Sequence, residues 1–127
     1  MGNHTGHVIF SFFIILATTL NFGFAVGDMS NENHHSLTEL VLAISINIIA
    51  LTLKFGAKSK MDATQLATSL VSCILLISAA FIWHFSTPEE MAINIISIVS
   101  LSWGAFLANI ASIAILILDS MSNKRFK

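Results

Sequence analysis

The sequence predicts an all-α integral membrane fold, an antiparallel four-helix bundle that self-associates. Three observations carry this expectation. The chain of 127 residues is 55% hydrophobic and 10% charged, with a mean hydropathy of +0.83, which leaves too little polar surface for a water-soluble globule of this size. Long apolar stretches alternate with short polar links, and helix-start signatures stand before them. The charges are also segregated: all 6 Lys and Arg lie at the end of the second stretch, in the link after it, or behind the last one. The reading is of one transmembrane domain over residues 1–127 with spans at about 7–26, 37–55, 63–84 and 88–118.

The first span runs from His7 to Val26 and stops at Gly27, a residue suited to a helix end. The segment before it has no Lys or Arg and no small-x-small cleavage site follows, so it is expected to be a retained span rather than a signal peptide. His7, Ser11, Ile14, Thr18, Asn21 and Ala25 share one stripe at helical spacing, as a packing seam or, alternatively, a pore or ligand lining. A polar link with Asp28, Glu32, His34 and His35 follows. Ser36-Leu37-Thr38-Glu39 is a capping box that starts the second span at Leu37, and Gly56 ends it. Ala43, Asn47, Ala50 and Lys54 form its small and polar stripe, with Lys54 snorkelling at the interface.

The next link is basic through Lys58 and Lys60, and Asp62 with Gln65 resembles a third capping box ahead of a span from Ala63 to about His84. Thr68, Ser72 and Ala79 mark its small face. Thr87-Pro88-Glu89-Glu90 opens the last span with a cap, a proline at the first helical position and a Glu three residues on. From Met91 to Leu118 no residue is charged, well beyond the ~20 apolar residues a bilayer crossing needs. One face collects Ile95, Ile96, Val99, Trp103, Phe106, Leu107, Ile110, Ile113 and Ile117, expected to meet lipid. The other collects Asn94, Ser97, Ser100, Gly104, Ala105, Ala108, Asn109, Ala111 and Ser112, expected to meet protein, with Gly104, Ala105, Ala108 and Ser112 as helix-packing positions.

Orientation follows from the positive-inside rule. Asp28, Glu32, Glu39, Glu89 and Glu90 sit at the end that has no Lys or Arg, so both termini are expected in the cytoplasm. A net charge of -1 gives no basis for nucleic-acid binding, and the single Cys73 excludes an intrachain disulfide. No carboxylate lies within a span, which sets aside a proton-coupled carrier of the small multidrug type. No catalytic constellation is visible, and no cofactor or metal is assigned.

Two groups of residues remain. Asp28, Glu32, His34, His35, His84, Glu89 and Glu90 gather at one mouth, where they would concentrate cations, or hydrate a loop and cap helices. Asn21, Asn47, Asn94 and Asn109, with Thr18, are neutral amides and a hydroxyl at several depths; such groups join helices or line a path for a partly dehydrated small cation.

The stretches Thr19-Leu20-Asn21-Phe22-Gly23-Phe24, Asp28 to His35, Leu53-Lys54-Phe55-Gly56 and Ala108-Asn109-Ile110 carry a resemblance. In them the chain resembles an uncharacterised family of small four-span bacterial inner-membrane proteins, a domain of unknown function. The resemblance implies that architecture and the bacterial inner membrane, and brings no activity with it. Two functions are therefore expected to compete: an oligomeric passive pathway for a small cation, and a non-catalytic accessory subunit of a larger membrane complex. The partners implied are the lipid bilayer and a second copy of the chain or other subunits of a complex.

Overall fold

The computed structural model describes residues 2–56 and 60–125, with side chains over 5–31, 33–56 and 60–121. Lys58 and Lys127, and the side chains of Glu32, Lys124 and Arg125, lie outside the described residues. Four helices are present among them: α1 (Gly2–Ala25), α2 (Leu37–Leu53), α3 (Lys60–Phe85) and α4 (Pro88–Arg125), with a 3₁₀ turn at Glu32–His34. α1 packs on α2 and α4, and α3 packs on α2 and α4, so the helices form a square with each one touching its two sequence or end-to-end neighbours.

Local chemistry fixes the helix ends. Ser36 caps α2 by accepting from the Glu39 N–H at 3.4 Å, and α2 closes with Lys54 N–H on Leu51 O at 3.0 Å before Gly56 turns the chain at φ 79°. Thr87 and Glu90 form a reciprocal box: Thr87 N–H donates to Glu90 Oε1 at 2.9 Å, and Glu90 N–H to Thr87 Oγ1 at 3.3 Å. The expected Asp62–Gln65 box is not formed. α3 starts at Lys60, so Asp62 already lies in its first turn, where its carboxylate meets Lys54 Nζ at 3.1 Å, and Gln65 turns into the core. Lys54 also lies over the Phe10 ring, 4.4 Å from its centroid.

The buried positions follow one rule. They are Phe10, Ile14, Ala17, Asn21 and Phe24 on α1; Leu40, Ala43, Asn47 and Ala50 on α2; Gln65, Ser69, Ser72, Leu76 and Ala79 on α3. On α4 they are Met91, Ile95, Ile98, Ser102, Ala105, Asn109, Ser112 and Leu116. Along every helix the steps alternate between three and four residues, a seven-residue repeat that keeps one seam facing the bundle axis. Thr18, Ala25, Cys73 and Val99 are buried beside that seam.

This repeat corrects the expected division of α4 by side-chain size. Ile95 and Val99, assigned to lipid, are fully buried, and Ser97 and Ser100, assigned to protein, are exposed. Ala105, Asn109 and Ser112 are buried as expected, while Ile96, Leu107, Ile110 and Ile117 face outward. Gly104 approaches α3, where an added Cβ would stand 3.2 Å from Leu75 Cδ1.

The outer surface is apolar on all sides, with Phe12, Ile15, Val41, Ile74, Phe81, Ile93 and Leu107 all more than half exposed. A protein in water does not carry that surface, and contact with the bilayer accounts for it. Thr5–Ala25, Lys60–Phe85 and Pro88–Met121 are each long and apolar enough to cross a membrane. α2, at 17 residues, spans about 25 Å against a hydrocarbon core of ~30 Å. The chain is a multi-pass membrane protein with three to four candidate spanning helices.

Candidate functional site

The two groups of candidate residues occupy two places, a clasp over the acidic end of the bundle and a polar seam inside it. In the clasp, Gly27 adopts φ 110°, a conformation that costs an ordinary side chain, and the chain then folds back over α1. Asp28 Oδ1 accepts from the Ser30 N–H at 2.9 Å and from Ser30 Oγ at 2.8 Å. Those bonds, the backbone one first, hold its carboxyl below the ordinary aspartate range, helped by the charges of His34 and His35. His34 Nδ1 accepts from the Asp28 N–H at 2.9 Å when the ring is neutral.

His35 is buried, with its ring near Phe24, whose own ring lies 6.2 Å from that of Trp83. Its Nδ1 lies 2.6 Å from Phe24 O and its Nε2 2.9 Å from Asp28 O. Both partners are carbonyl acceptors. A neutral imidazole donates to one of them and an imidazolium to both. Either way, His35 ties the last turn of α1 to the link that follows it.

The other residues expected at the mouth do not join this cluster through any described bond. Glu90 is engaged in capping and Glu89 is exposed beside it. His84 stacks edge-on against Phe85, with ring centroids 4.8 Å apart, and borders an open apolar groove of 270 Å³ with Ile44, Ile77, Ala80 and Phe81. Glu39 leans over Gly23, where an added Cβ would collide with its Oε2. Among the described residues, no three His, Cys, Asp or Glu side chains come together in a metal-holding group.

The seam is built from the same seven-residue repeat. Near the acidic end Asn94 Nδ2 donates to Ser86 Oγ at 2.9 Å, which ties the first turns of α4 to the end of α3. Deeper, Asn21 of α1 meets Ser102 of α4. With its amide nitrogen towards α4, Asn21 donates to Ser102 Oγ at 2.7 Å and to Ser102 O at 3.0 Å, and accepts from the Phe106 N–H at 3.0 Å. One layer further, Ser72 Oγ donates to Asn47 Oδ1 at 3.1 Å and reaches Ala105 O at 3.3 Å, while Asn47 Nδ2 donates to Ala43 O at 2.8 Å. This layer joins α2, α3 and α4. Towards the basic end Gln65 Nε2 donates to Ser112 O at 3.4 Å, the Thr68 and Ser112 hydroxyls meet, and Ser120 Oγ lies 2.9 Å from His7 Nε2.

Thr18 is buried but turns its hydroxyl to Ile14 O at 2.6 Å in its own helix. Asn109 is fully buried on α4. Ser69 and Ser102, absent from the residues expected to matter, belong to the seam, as does Gln65. The signal that finds them is the step of three or four from residues already singled out: Ser72 leads back to Ser69 and Gln65, and Ala105 to Ser102.

A square of apolar helices around a hydrogen-bonded polar seam defines a multi-span α-helical membrane protein. The chain belongs to the family of unknown function DUF6394, which it matches over residues 34–120, from the end of the clasp through α2, α3 and most of α4. Leu53-Lys54-Phe55-Gly56 and Ala108-Asn109-Ile110 fall inside that segment, and Thr19 to Phe24 precedes it. No curated protein and no solved structure matches the chain.

Proposed function

We propose that the protein is a non-catalytic membrane subunit, a rigid helical bundle that works by assembling with a larger membrane complex. One observation supports this above the alternative: the amide oxygens of Asn21 and Asn47 are spent on bonds between helices of a single protomer. A conduit needs those oxygens to remain available to an ion. The clasp supports the same reading, because His35 is buried on two backbone carbonyls rather than presented to solvent. Purification in mild detergent at native expression tests it: co-purification of a defined larger complex supports the proposal, and a lone homo-oligomer removes it. In this reading both termini are cytoplasmic in a bacterial inner membrane, so a tag at Lys127 is inaccessible from outside intact cells.

The second reading is an oligomeric passive pathway for a small cation. It draws on the position of Asn21, Asn47 and Asn109 at successive depths of one interior, below an end that carries Asp28, Glu89 and Glu90 and no Lys or Arg among its described residues. Cation flux into liposomes holding the purified protein, reduced by Asn47→Leu, would replace the first reading. Absence of flux with unchanged behaviour of that variant removes the second.

A further inference from the structure

Between the Asn47–Ser72 layer and the Gln65–Ser112 layer, the seven-residue repeat brings Ser69 of α3 level with Asn109 of α4. The register of α2 against α3, set by Asn47 on Ser72, puts Ala50 at the same level, where it contributes only a methyl group. Here the hydrogen-bonding pattern of the seam changes. Both ends of the Asn109 amide, the Ser69 hydroxyl and Gln65 Oε1 are buried without a hydrogen-bond partner among the described residues. The three side chains are at most 1% exposed. In every other layer the amide makes at least one bond, whereas neither end of the Asn109 amide makes any, so this layer is the exception to the rule by which the bundle is built.

The unpaired set identifies its ligand by the balance of donors and acceptors. Gln65 Oε1 and Asn109 Oδ1 accept, Asn109 Nδ2 donates, and the Ser69 hydroxyl does either. A cation is matched by the oxygens but opposed by the amide nitrogen, and an anion is matched by the nitrogen but opposed by the oxygens. Water both donates and accepts, and a buried water is held by about three such partners. The two ends of one amide diverge, so satisfying both takes more than one molecule. We propose that Gln65, Ser69 and Asn109 form a buried hydration site that holds one or two water molecules bridging α3 and α4 at depth in the bundle. Within hydrocarbon no other source of partners exists for these groups, which makes the bridge part of the fold.

The test is a structure of the full chain in lipid, at a resolution that resolves water, determined in sodium and in thallium salts. The expected result is one or two peaks at hydrogen-bond distance, ~2.7–3.2 Å, from the Asn109 amide and the Ser69 hydroxyl in both salts, with no anomalous thallium signal. Asn109→Leu, similar in volume and wholly apolar, is expected to lose the peaks while keeping the helical circular-dichroism spectrum. Should that variant fail to fold, Ser69→Ala serves: magnetisation transfer from water to the Asn109 side-chain amide in solid-state NMR is expected to fall at least twofold. A thallium peak at the site overturns the proposal in favour of a cation. Continuous side-chain contact with no peak overturns it too, as does unchanged transfer in Ser69→Ala.

Discussion

The Asn47–Ser72 bond gives the most direct measure of what the seam contributes. Asn47 is completely buried, accepts from Ser72 at 3.1 Å and donates to Ala43 O at 2.8 Å. The Ser72 hydroxyl has one proton and two acceptors within reach, Asn47 Oδ1 and, at 3.3 Å, Ala105 O, so the interhelical bond is shared. Bonds of this kind between membrane helices average about 0.6 kcal/mol and reach ~1.7 at most, because the unfolded chain in the bilayer also finds partners. A shared hydroxyl belongs near the average. In a cycle of Asn47→Ala, Ser72→Ala and the double variant, the cavity terms of the single changes largely cancel. The expected coupling is therefore about 0.6 kcal/mol, nearly a threefold change in the unfolding constant. Reversible unfolding in mixed micelles, followed by fluorescence of Trp83 and Trp103, measures it. A coupling of zero in this cycle and in the matching Asn21/Ser102 cycle would refute the claim that the amides hold the helices together.

Four further outcomes follow from the same geometry. Gly27→Ala is expected to cost ~1–3 kcal/mol for its backbone conformation, and more where the new Cβ, 2.9 Å from His34 Cβ, displaces the ring; Gly56→Ala, at φ 79° and with no contact to an added Cβ among the described residues, is expected to cost ~1–2 kcal/mol. Unfolding in the same micelles ranks the two, and equal costs would deny that the clasp is tight. For Asp28, a native pKa below the unfolded one means a stabilising contribution fully present above the ordinary aspartate range, ~pH 4, and lost as pH falls through the lower native value. Asp28→Asn should therefore flatten the acid limb of a stability profile measured from pH 6 downwards. Asp62→Asn leaves the largely buried Lys54 side chain without a negative charge at 3.1 Å and is expected to cost about 1 kcal/mol, discounted for the solvent reaching Asp62. His35→Ala strips a buried ring from two backbone carbonyls and is expected to cost ~2–4 kcal/mol, read by unfolding and by faster amide exchange at the end of α1.

Much of this was legible in the residues, and the reason differs from place to place. Helix starts at Ser36 and Thr87 were readable because capping is a local contact between residues three apart, with no dependence on the rest of the fold. The same pattern misled at Asp62. There Lys54, eight residues earlier across the link, offers the carboxylate a charged partner, and Gln65 is claimed by Ser112 on another helix. Both partners are remote in sequence, and a capping pattern carries no information about them. The buried stripe of α2 was readable since Asn47 marks it chemically, and Asn21 marks the middle of that of α1, because a bilayer tolerates an amide only against protein; Phe10, Ala17 and Phe24 of the α1 seam fell outside the expected stripe, and His7 and Ser11 within it are only half-buried. The clasp residue His35 was visible as a titratable group at one end, but its burial between Phe24 O and Asp28 O depends on the turn at Gly27 and on the depth of the Phe24–Trp83 contact.

α4 shows where side-chain size fails as a guide. Sorting its residues into bulky and small sends Ile95 and Val99 to lipid and Ser97 and Ser100 to protein, and burial reverses all four. The premise was that bulk prefers hydrocarbon. In a bilayer, however, an isoleucine gains little by choosing lipid over an apolar protein neighbour, so size does not decide which way it turns. Polar need and register do. Asn109 and Ser112 fix the basic half of the helix, Ser102 fixes the middle, and a rigid helix with a seven-residue repeat then carries Ile98, Ile95 and Met91 inward whatever their volume. Ser97 and Ser100 are left outside because they fall off that repeat, and a serine in a helix can satisfy its hydroxyl on its own backbone, as Ser45 does on Val41 O at 3.0 Å. An amide has two donors and more acceptor capacity than one turn of helix can supply. In this bundle the asparagines, with the serines that bond across helices, therefore set which face is inside, and the isoleucines fill whatever remains.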